Sequence, residues 1–449
     1  MTTAPSDLLA YYSDWLAYRQ WYLRVPGVQV AVRRAGNLAL SAAYGRSDLS
    51  TRAPLTTQHL FRIASHSKTF AAVAVLQLVS QGQLRLDDHI SEHLPELAGV
   101  PIADRTIGEL LSHSGGVIRD SEDGDFWQHY RPFPDAVELL AIARAASAAV
   151  LPRNDHFKYS NIAYGLLGLV LERATGRSFP EYVRTAIAEP LGLTEVGGEY
   201  DPARAEEYAA GHTALARARE RQVIGHVDTR ALAAATGCYA TAADLTAFYS
   251  ALLPGDARLL DADSQRRQRH WQWEIKPGER RYALGLFVDT IAERDLFGHT
   301  GGYPGHITCT YADAADGDVV SVLTNAIDGP ASQLATGYFH LRELGRKADH
   351  EPAVEAARYT GRFGWLWGVL DVAAIDGRLF ALDPTAPDPA EDAAPLEVVD
   401  DTTLKIVGGR GGNSYGEYMR YEFEADGSVA RLRADSGMST TPFAVPDGD

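Results

Sequence analysis

At 449 residues, with 45% hydrophobic and 22% charged side chains, the chain has the composition of a soluble globular protein long enough for two or more domains. Its formal charge of −17 argues against a nucleic-acid partner, which needs clustered Lys and Arg, and against an anionic membrane surface. Two cysteines, Cys238 and Cys309, are too few for a disulfide framework and read as small buried residues.

The first stretch, MTTAPSDLLAYYSDWLAYRQWYL, has no basic start and no unbroken apolar run, so it does not read as a signal peptide. No segment reaches the ~18 apolar residues of a membrane span. The expected location is cytoplasmic, with a mature secreted form left open. The stretch itself reads as an amphipathic helix with Leu8, Tyr12, Trp15 and Tyr22 on one side. VQVAVRR and LALSAAY then flank AGN, a hairpin signal. FRIASHSKTFAAVAVLQL follows, a helix expected to stop near Gly82.

From Ile107 to about Ala247 the pattern is mostly helical, with Ala-rich AVELLAIARAASAAV and AYGLLGLVLERATG. From about Tyr282 it turns to short strands, YALGLFVDT, RDLFGH, HITCTYA and DVVSVLTN, closed by a helix from about Ala331 to Leu344. A charged connector, GRKADHEPAVEAA, leads to about a hundred residues of short strands between the turns IDGRL, LDPTAPDPAED, GGRGGN and ADGSV. That change of character places a domain boundary near Asp349, giving domains 1–348 and 349–449. No solenoid repeat is visible.

The chemistry concentrates where the FRIASHSK helix begins. Ser65 and Lys68 are three apart, so their side chains share a face. A serine hydroxyl needs a neighbouring base, and a lysine against apolar Phe70 and Val73 should lose charge stabilisation. The helix start also offers N–H groups to a developing oxyanion. Of Lys68, Lys158, Lys276, Lys347 and Lys405, only Lys68 has a serine three residues earlier. A capping serine with a snorkelling lysine is the alternative. Two more segments stand out: Tyr159-Ser160-Asn161 before a helix, and His299-Thr300-Gly301-Gly302 beside a strand. Taken singly, a core tyrosine and a hairpin turn are the better readings of them.

Together these three segments resemble the serine β-lactamase and penicillin-binding-protein superfamily, in its class C β-lactamase-like branch. PGVQVAVRRAGNLALSAAYGRSD, LLSHSGG, EPLGLT, TGCYATAADLTAFYSAL and GHTGGYPGH add to the likeness, which covers roughly residues 5 to 345. The resemblance implies an α+β fold, an antiparallel sheet flanked by helices, with a helical subdomain at roughly 85–245. It implies that Ser65 attacks the acyl carbonyl, that Lys68 and Tyr159 share the proton work, and that Asn161 orients Lys68 and the substrate. His299, Thr300 and Gly301 would line the site, with the Ser65 and Gly302 N–H groups as oxyanion hole. It implies no metal and no cofactor. A nearby Lys⁺ could lower the Tyr159 phenol from its ordinary pKa near ~10, and which of the two takes the serine proton stays open.

A histidine at position 299, mostly neutral at pH 7, attracts a β-lactam carboxylate less than the family's lysine would. This version resembles the family's D-aminopeptidases, amidases and esterases, with β-lactam hydrolysis at most a side activity. VIRDSEDGDFWQHYRP falls where the family's cleft is bordered. Asp120, Glu122, Asp123 and Asp125 beside Trp127 are expected to form an acidic, aromatic rim suited to cationic substrates, a solvated acidic loop being the alternative.

GNSYG around Ser414 matches a Gly-x-Ser-x-Gly elbow, but no histidine follows His350, so the required order fails. HISEH, His89 to His93, matches a zinc pattern, but Pro95 cuts the segment short and Leu86, Ile90 and Leu94 form an apolar stripe. YTGRFGW, LDVAAIDGRLFALDP and YEFEADGSVARLRAD resemble the lipocalin-like barrel attached to some hydrolases of this superfamily. Its expected job is to pack on the catalytic unit, narrow the cleft or mediate assembly.

The expectation is therefore a two-domain serine hydrolase acting on small-molecule or short-peptide amides and esters, as a peptidase, aminopeptidase or amidase first and an esterase next. Assembly into homo-oligomers is compatible with it. The rival is a non-catalytic protein that keeps the fold for ligand capture.

Overall fold

A computed structural model describes residues 7–409, 414–434 and 437–446. Contacts divide the chain into two compact units, residues 26–332 and residues 1–25 with 333–449.

The first unit is built on a nine-stranded antiparallel sheet. The hairpin expected around AGN is present: Gly27–Arg34 pairs with Asn37–Asp48, and Val30 faces Ala42. On its other side Gly27–Arg34 pairs with Val319–Thr324, which continues into His306–Asp313, Arg294–Tyr303, Phe287–Ile291, Arg280–Tyr282 and Trp273–Lys276. The N-terminal hairpin is thus stitched to strands nearly 300 residues downstream, a pairing no local pattern announces.

Helices His66–Ser80 and Ala242–Ser250 join through Phe70 and Phe248, whose rings stack at 3.7 Å and 8°. The His66–Ser80 helix is buried along most of its length, which is why it reads as a nearly unbroken apolar run. It ends before Gly82, whose φ of 70° suits glycine. Its surroundings include the helices Ile107–Leu111, Ala136–Arg144 and Asn161–Thr175, which share its core. Both cysteines are buried and unbonded, and burial pushes each thiol up to about 12.

The second unit contains a closed antiparallel barrel of eight strands between Gly361 and Pro442, each paired with its chain neighbour and closed where Phe363 meets Pro442. Its inside is filled by side chains including Phe363, Leu379, Leu404, Tyr421 and Leu432. The expected helices are present as Asp7–Tyr22 and Ala331–Lys347. Leu8, Tyr12 and Trp15 are buried as read, whereas Tyr22 is 46% exposed and lies stacked on Tyr18. Contacts thus place the N-terminal helix with the barrel, although it lies far from the barrel strands in sequence. Tyr11 donates to Asp371 at 3.1 Å, and Asp371 takes a bidentate contact from Arg362 at 2.7 Å twice. No helix among the described residues is long and apolar enough to cross a membrane.

Candidate active site

Phe61–Arg62 pairs antiparallel with Tyr239–Ala240, and the Ile63 N–H donates to the Cys238 carbonyl at 3.0 Å. Ala64 then adopts φ 51°, a left-handed conformation that costs a residue with a Cβ, and turns the chain into the His66–Ser80 helix. Ser65 occupies the N-cap position without making a side-chain cap bond, so its hydroxyl is not spent on the helix. From Leu60 to Leu76 every residue is buried except Ser65, which keeps open surface.

Lys68 lies one turn on and has no exposed surface. Its ammonium donates to Ser65 Oγ at 3.2 Å, Asn161 Oδ1 at 2.8 Å and the Ala235 carbonyl at 2.7 Å, which uses all three of its N–H groups. The Tyr159 and Tyr164 rings lie 4.8 and 5.5 Å from Nζ. Burial drives the Lys68 pKa well below its ordinary value; Asp120 opposes the shift and Arg119 adds to it.

Burial raises the Tyr159 phenol above the usual range, while the Ser65 hydroxyl and Arg119 pull it back and Asp120 pushes it further up. The sequence suggested a phenol lowered by Lys⁺; in the folded protein desolvation is the larger effect. Asn161 opens the Asn161–Thr175 helix, capped by Ser160 Oγ accepting the Ala163 N–H at 2.9 Å. With Oδ1 on Lys68, its Nδ2 donates to Asp120 Oδ1 at 2.7 Å.

The Arg294–Tyr303 strand supplies the third piece. A Cβ on Gly301 would sit 2.3 Å from the Ile63 carbonyl oxygen, so only glycine lets the strand lie this close to the turn that carries Ser65. Side chains alternate along it: His299, Gly301 and Tyr303 are buried, Thr300 is partly exposed and Gly302 is exposed. The His299 ring contacts the Thr300 carbonyl at 2.6 Å and the Tyr282 hydroxyl at 3.2 Å. Burial, then His66 and Lys68, hold its pKa well below the ordinary imidazole value, so it is neutral at pH 7.

The loop expected as a rim has a different arrangement for each residue. Asp120 is turned inward: its carboxylate also receives the Trp127 indole N–H at 2.8 Å and the Arg119 Nε–H at 3.2 Å. Asp123 pairs with Arg131 at 3.0 Å, while Glu122 and Asp125 are exposed. Three groups had no role in the sequence reading. The Ala235 carbonyl, a backbone acceptor, leaves no mark in sequence. Arg119 stands over the Tyr159 ring at 5.5 Å. His113, the histidine of LLSHSGG, accepts the Ser160 N–H at 3.1 Å and lies 4.3 Å from the Tyr159 ring; its segment was singled out, but nothing there assigned it a contact.

Among the described residues no group of three or more His, Cys, Asp or Glu side chains could hold a metal. His89 caps the four-residue helix Ile90–His93, and His93 contacts Asp88 at 2.9 Å. In the Ser414 elbow, Gly412 and Asn413 lie outside the described residues.

Residues 16–342 match the family described as Beta-lactamase. Protein flp of Staphylococcus aureus (strain MRSA252) is 27% identical over 195 residues, 42% of this chain and 38% of that protein. Penicillin-binding protein 4* of Bacillus subtilis (strain 168) is 29% identical over 190 residues, 41% of each. The chain therefore spans about two fifths of the length of these curated relatives. Among solved structures, the octameric penicillin-binding protein homologue from Pyrococcus abyssi superposes with a TM-score of 0.66 at 21% identity, covering 94% of this chain and 98% of that one. The D-amino acid amidase from Ochrobactrum anthropi SV3 gives 0.60 at 26% identity, covering 72% and 92%. The D-stereospecific amidohydrolase from Streptomyces sp. gives 0.62 at 25%, covering 72% and 96%. On the matched span, which takes in the whole sheet and all three segments of the site, the chain belongs to the beta-lactamase family, with penicillin-binding proteins and D-amino acid amidases as neighbours.

Proposed function

We propose that the protein is a serine hydrolase that cleaves amide or ester bonds through an acyl-enzyme on Ser65. The observation that carries this reading is the triple contact of Lys68 Nζ with Ser65 Oγ, Asn161 Oδ1 and the Ala235 carbonyl beside the Tyr159 and Tyr164 rings. Burial disfavours the charged form of this amine, as a base needs, and the amine points at the hydroxyl it must deprotonate.

Ser65 Oγ attacks the acyl carbon as its proton passes to Lys68 Nζ. The carbonyl pair moves onto oxygen, where the Ser65 and Gly302 N–H groups receive it. The tetrahedral adduct collapses, the carbon–nitrogen or carbon–oxygen bond breaks, and the proton goes to the departing amine or alcohol. Water repeats the sequence against the ester, and Ser65 regains its proton as the acid leaves. Tyr159, on which the Ser65 hydroxyl acts, carries protons between Lys68 and the leaving group.

For substrate, we favour short peptides and amides, as a peptidase, aminopeptidase or amidase, with esters next. Amidase neighbours at 25% and 26% identity support this choice, as does the neutral His299, which offers a β-lactam carboxylate no full cation. A fluorophosphonate probe read by intact mass tests the mechanism: one adduct on the native protein and none on Ser65→Ala are expected. A panel of D- and L-amino-acid amides, short esters and a chromogenic cephalosporin tests the substrate class, with amide turnover leading. Absence of any Ser65-dependent adduct would leave only ligand capture.

A further inference from the structure

Arg119 and Asp120 are chain neighbours joined by an ion pair at 3.2 Å, and they differ in how far each reaches into solvent. The Arg119 side chain is 63% exposed and that of Asp120 only 16%. Their loop is fastened to the Asn161–Thr175 helix, because the Arg119 carbonyl accepts the N–H of Asn161 at 2.7 Å and of Ile162 at 3.2 Å.

An asparagine side chain has one accepting and one donating end, and a carboxylate only accepts. Asp120 can therefore hold Asn161 only through Nδ2, which leaves Oδ1 toward Lys68. The flipped amide would set its N–H groups against the ammonium and its oxygen against the carboxylate. Trp127 shares Oδ1 with Asn161 and Arg119 holds Oδ2, so three donors on both oxygens fix the carboxylate.

On the reading of Ser65 as nucleophile, we propose that Asp120 is a positioning residue. Through Asn161 it fixes the direction of the Lys68 amine, and Arg119 and Asp120 bias the Ser65–Lys68–Tyr159 group in opposite directions. The groups facing that cluster come from every element around it. They are His66 on its own helix, Tyr164 on the next, Tyr282 and His299 on the sheet, and His113 on the loop below. Burial holds all three imidazoles neutral near pH 7 and raises both phenols. Among the described residues, Arg119 and Asp120 are the full charges that bear on Lys68, and they act on Tyr159 with the same signs.

The signs give opposite results for two substitutions. In Asp120→Asn the charge that raises both Lys68 and Tyr159 is gone, so both pKa values fall and the reactive form appears at lower pH. In Arg119→Gln the charge that lowers both is gone, so the reactive form appears at higher pH. The acid limb of the kcat/KM profile should move down by about one pH unit in the first variant and up by less in the second, more exposed one. Asp120→Asn, having lost the fixed amide, should also lose about tenfold or more in kcat with KM nearly unchanged. Arg119→Gln removes only one of the three bonds on the Asp120 carboxylate and should lose less in kcat than Asp120→Asn. Limbs that move together, or that both stay in place while native Ser65 still takes the fluorophosphonate, overturn the proposal. A native protein that takes no label at Ser65 overturns the functional reading beneath it instead.

Discussion

The Cys238 N–H donates to Ser67 Oγ at 2.9 Å, and Ser67 in turn donates to the Ala64 carbonyl at 2.7 Å. These bonds separate the two serines of the SHSK stretch: Ser67 is buried with its hydroxyl engaged on both sides, and Ser65 is not. Ser67→Ala should keep probe labelling at Ser65 and lower stability by about 1–3 kcal/mol, because the Cys238 N–H is left unpaired in the core. Ser65→Ala should abolish labelling with little effect on stability. Denaturant midpoints read beside intact mass check both, and labelling that survived Ser65→Ala would shift the nucleophile elsewhere.

Adjacent glycines on the Arg294–Tyr303 strand should respond differently to the same methyl group. At Gly301 a Cβ meets the Ile63 oxygen and Thr308 Oγ1, each at 2.3 Å; at Gly302 the nearest atom is Ile307 Cδ1 at 3.6 Å. Gly301→Ala must push the strand away from the Ser65 turn and should cost several kcal/mol together with activity. Gly302→Ala keeps its N–H and should fold normally, within about 1 kcal/mol of the native protein. Thermal melts and acylation rates distinguish the two; equal tolerance at both positions would mean that the strand does not press on the turn.

The residues with distinctive chemistry were legible, because Ser65, Lys68, Tyr159, Asn161 and His299 belong to short segments at a helix turn, a helix start or a strand. The groups that complete the cluster were not. Ala235 contributes a backbone oxygen, which any residue has. Asp120 looked like one carboxylate of an acidic loop, and only the fold shows that it turns inward while Asp123 pairs with Arg131. The hairpins and the barrel strands were readable from alternation and turn residues. The placement of the Asp7–Tyr22 helix was not: on Gly337 a Cβ would sit 2.7 Å from the Trp15 ring, a fit between distant residues that periodicity does not encode. Tyr22 followed the apolar period but lies at the end of its helix, where the period outlasts the burial.

Acid should unfold the unit of residues 26–332 through its buried imidazoles. His66, His113, His299 and His306 are almost fully buried, and burial lowers each, His66 to about 3. A lowered folded pKa means that the unfolded chain binds more protons below about 6.5, so stability is lost as pH falls from there. Each group removes at most about 1.4 kcal/mol per pH unit. Glu199, raised to about 7 chiefly by burial, works in the other direction between 7 and its ordinary value and offsets about one imidazole. Against a total of about 5–15 kcal/mol, the loss should place the midpoint of acid unfolding between about pH 5 and about pH 3. Denaturant curves at pH 7.5, 6.5 and 5.5 measure the slope. His306→Leu should flatten it, since neither His306 nitrogen has a partner among the described residues. A stability that stays level across that range rules out the account.

The acidic loop makes a separable prediction about substrate charge. Asp120 is consumed by three donors and Asp123 by Arg131, which leaves Glu122 and Asp125 as the exposed carboxylates able to favour a cationic substrate. Both are solvated, so the preference should be a few-fold and should vanish at high salt. With matched cationic, neutral and anionic p-nitroanilides, the double substitution Glu122→Gln with Asp125→Asn should lower kcat/KM for the cationic compound alone. Asp120→Asn should lower all three by a similar factor, because it acts on Lys68 through Asn161 and does not face the substrate. If Asp120→Asn selectively hurt the cationic compound, its carboxylate would be reaching into the cleft, and the bond to Asn161 Nδ2 would not persist in solution.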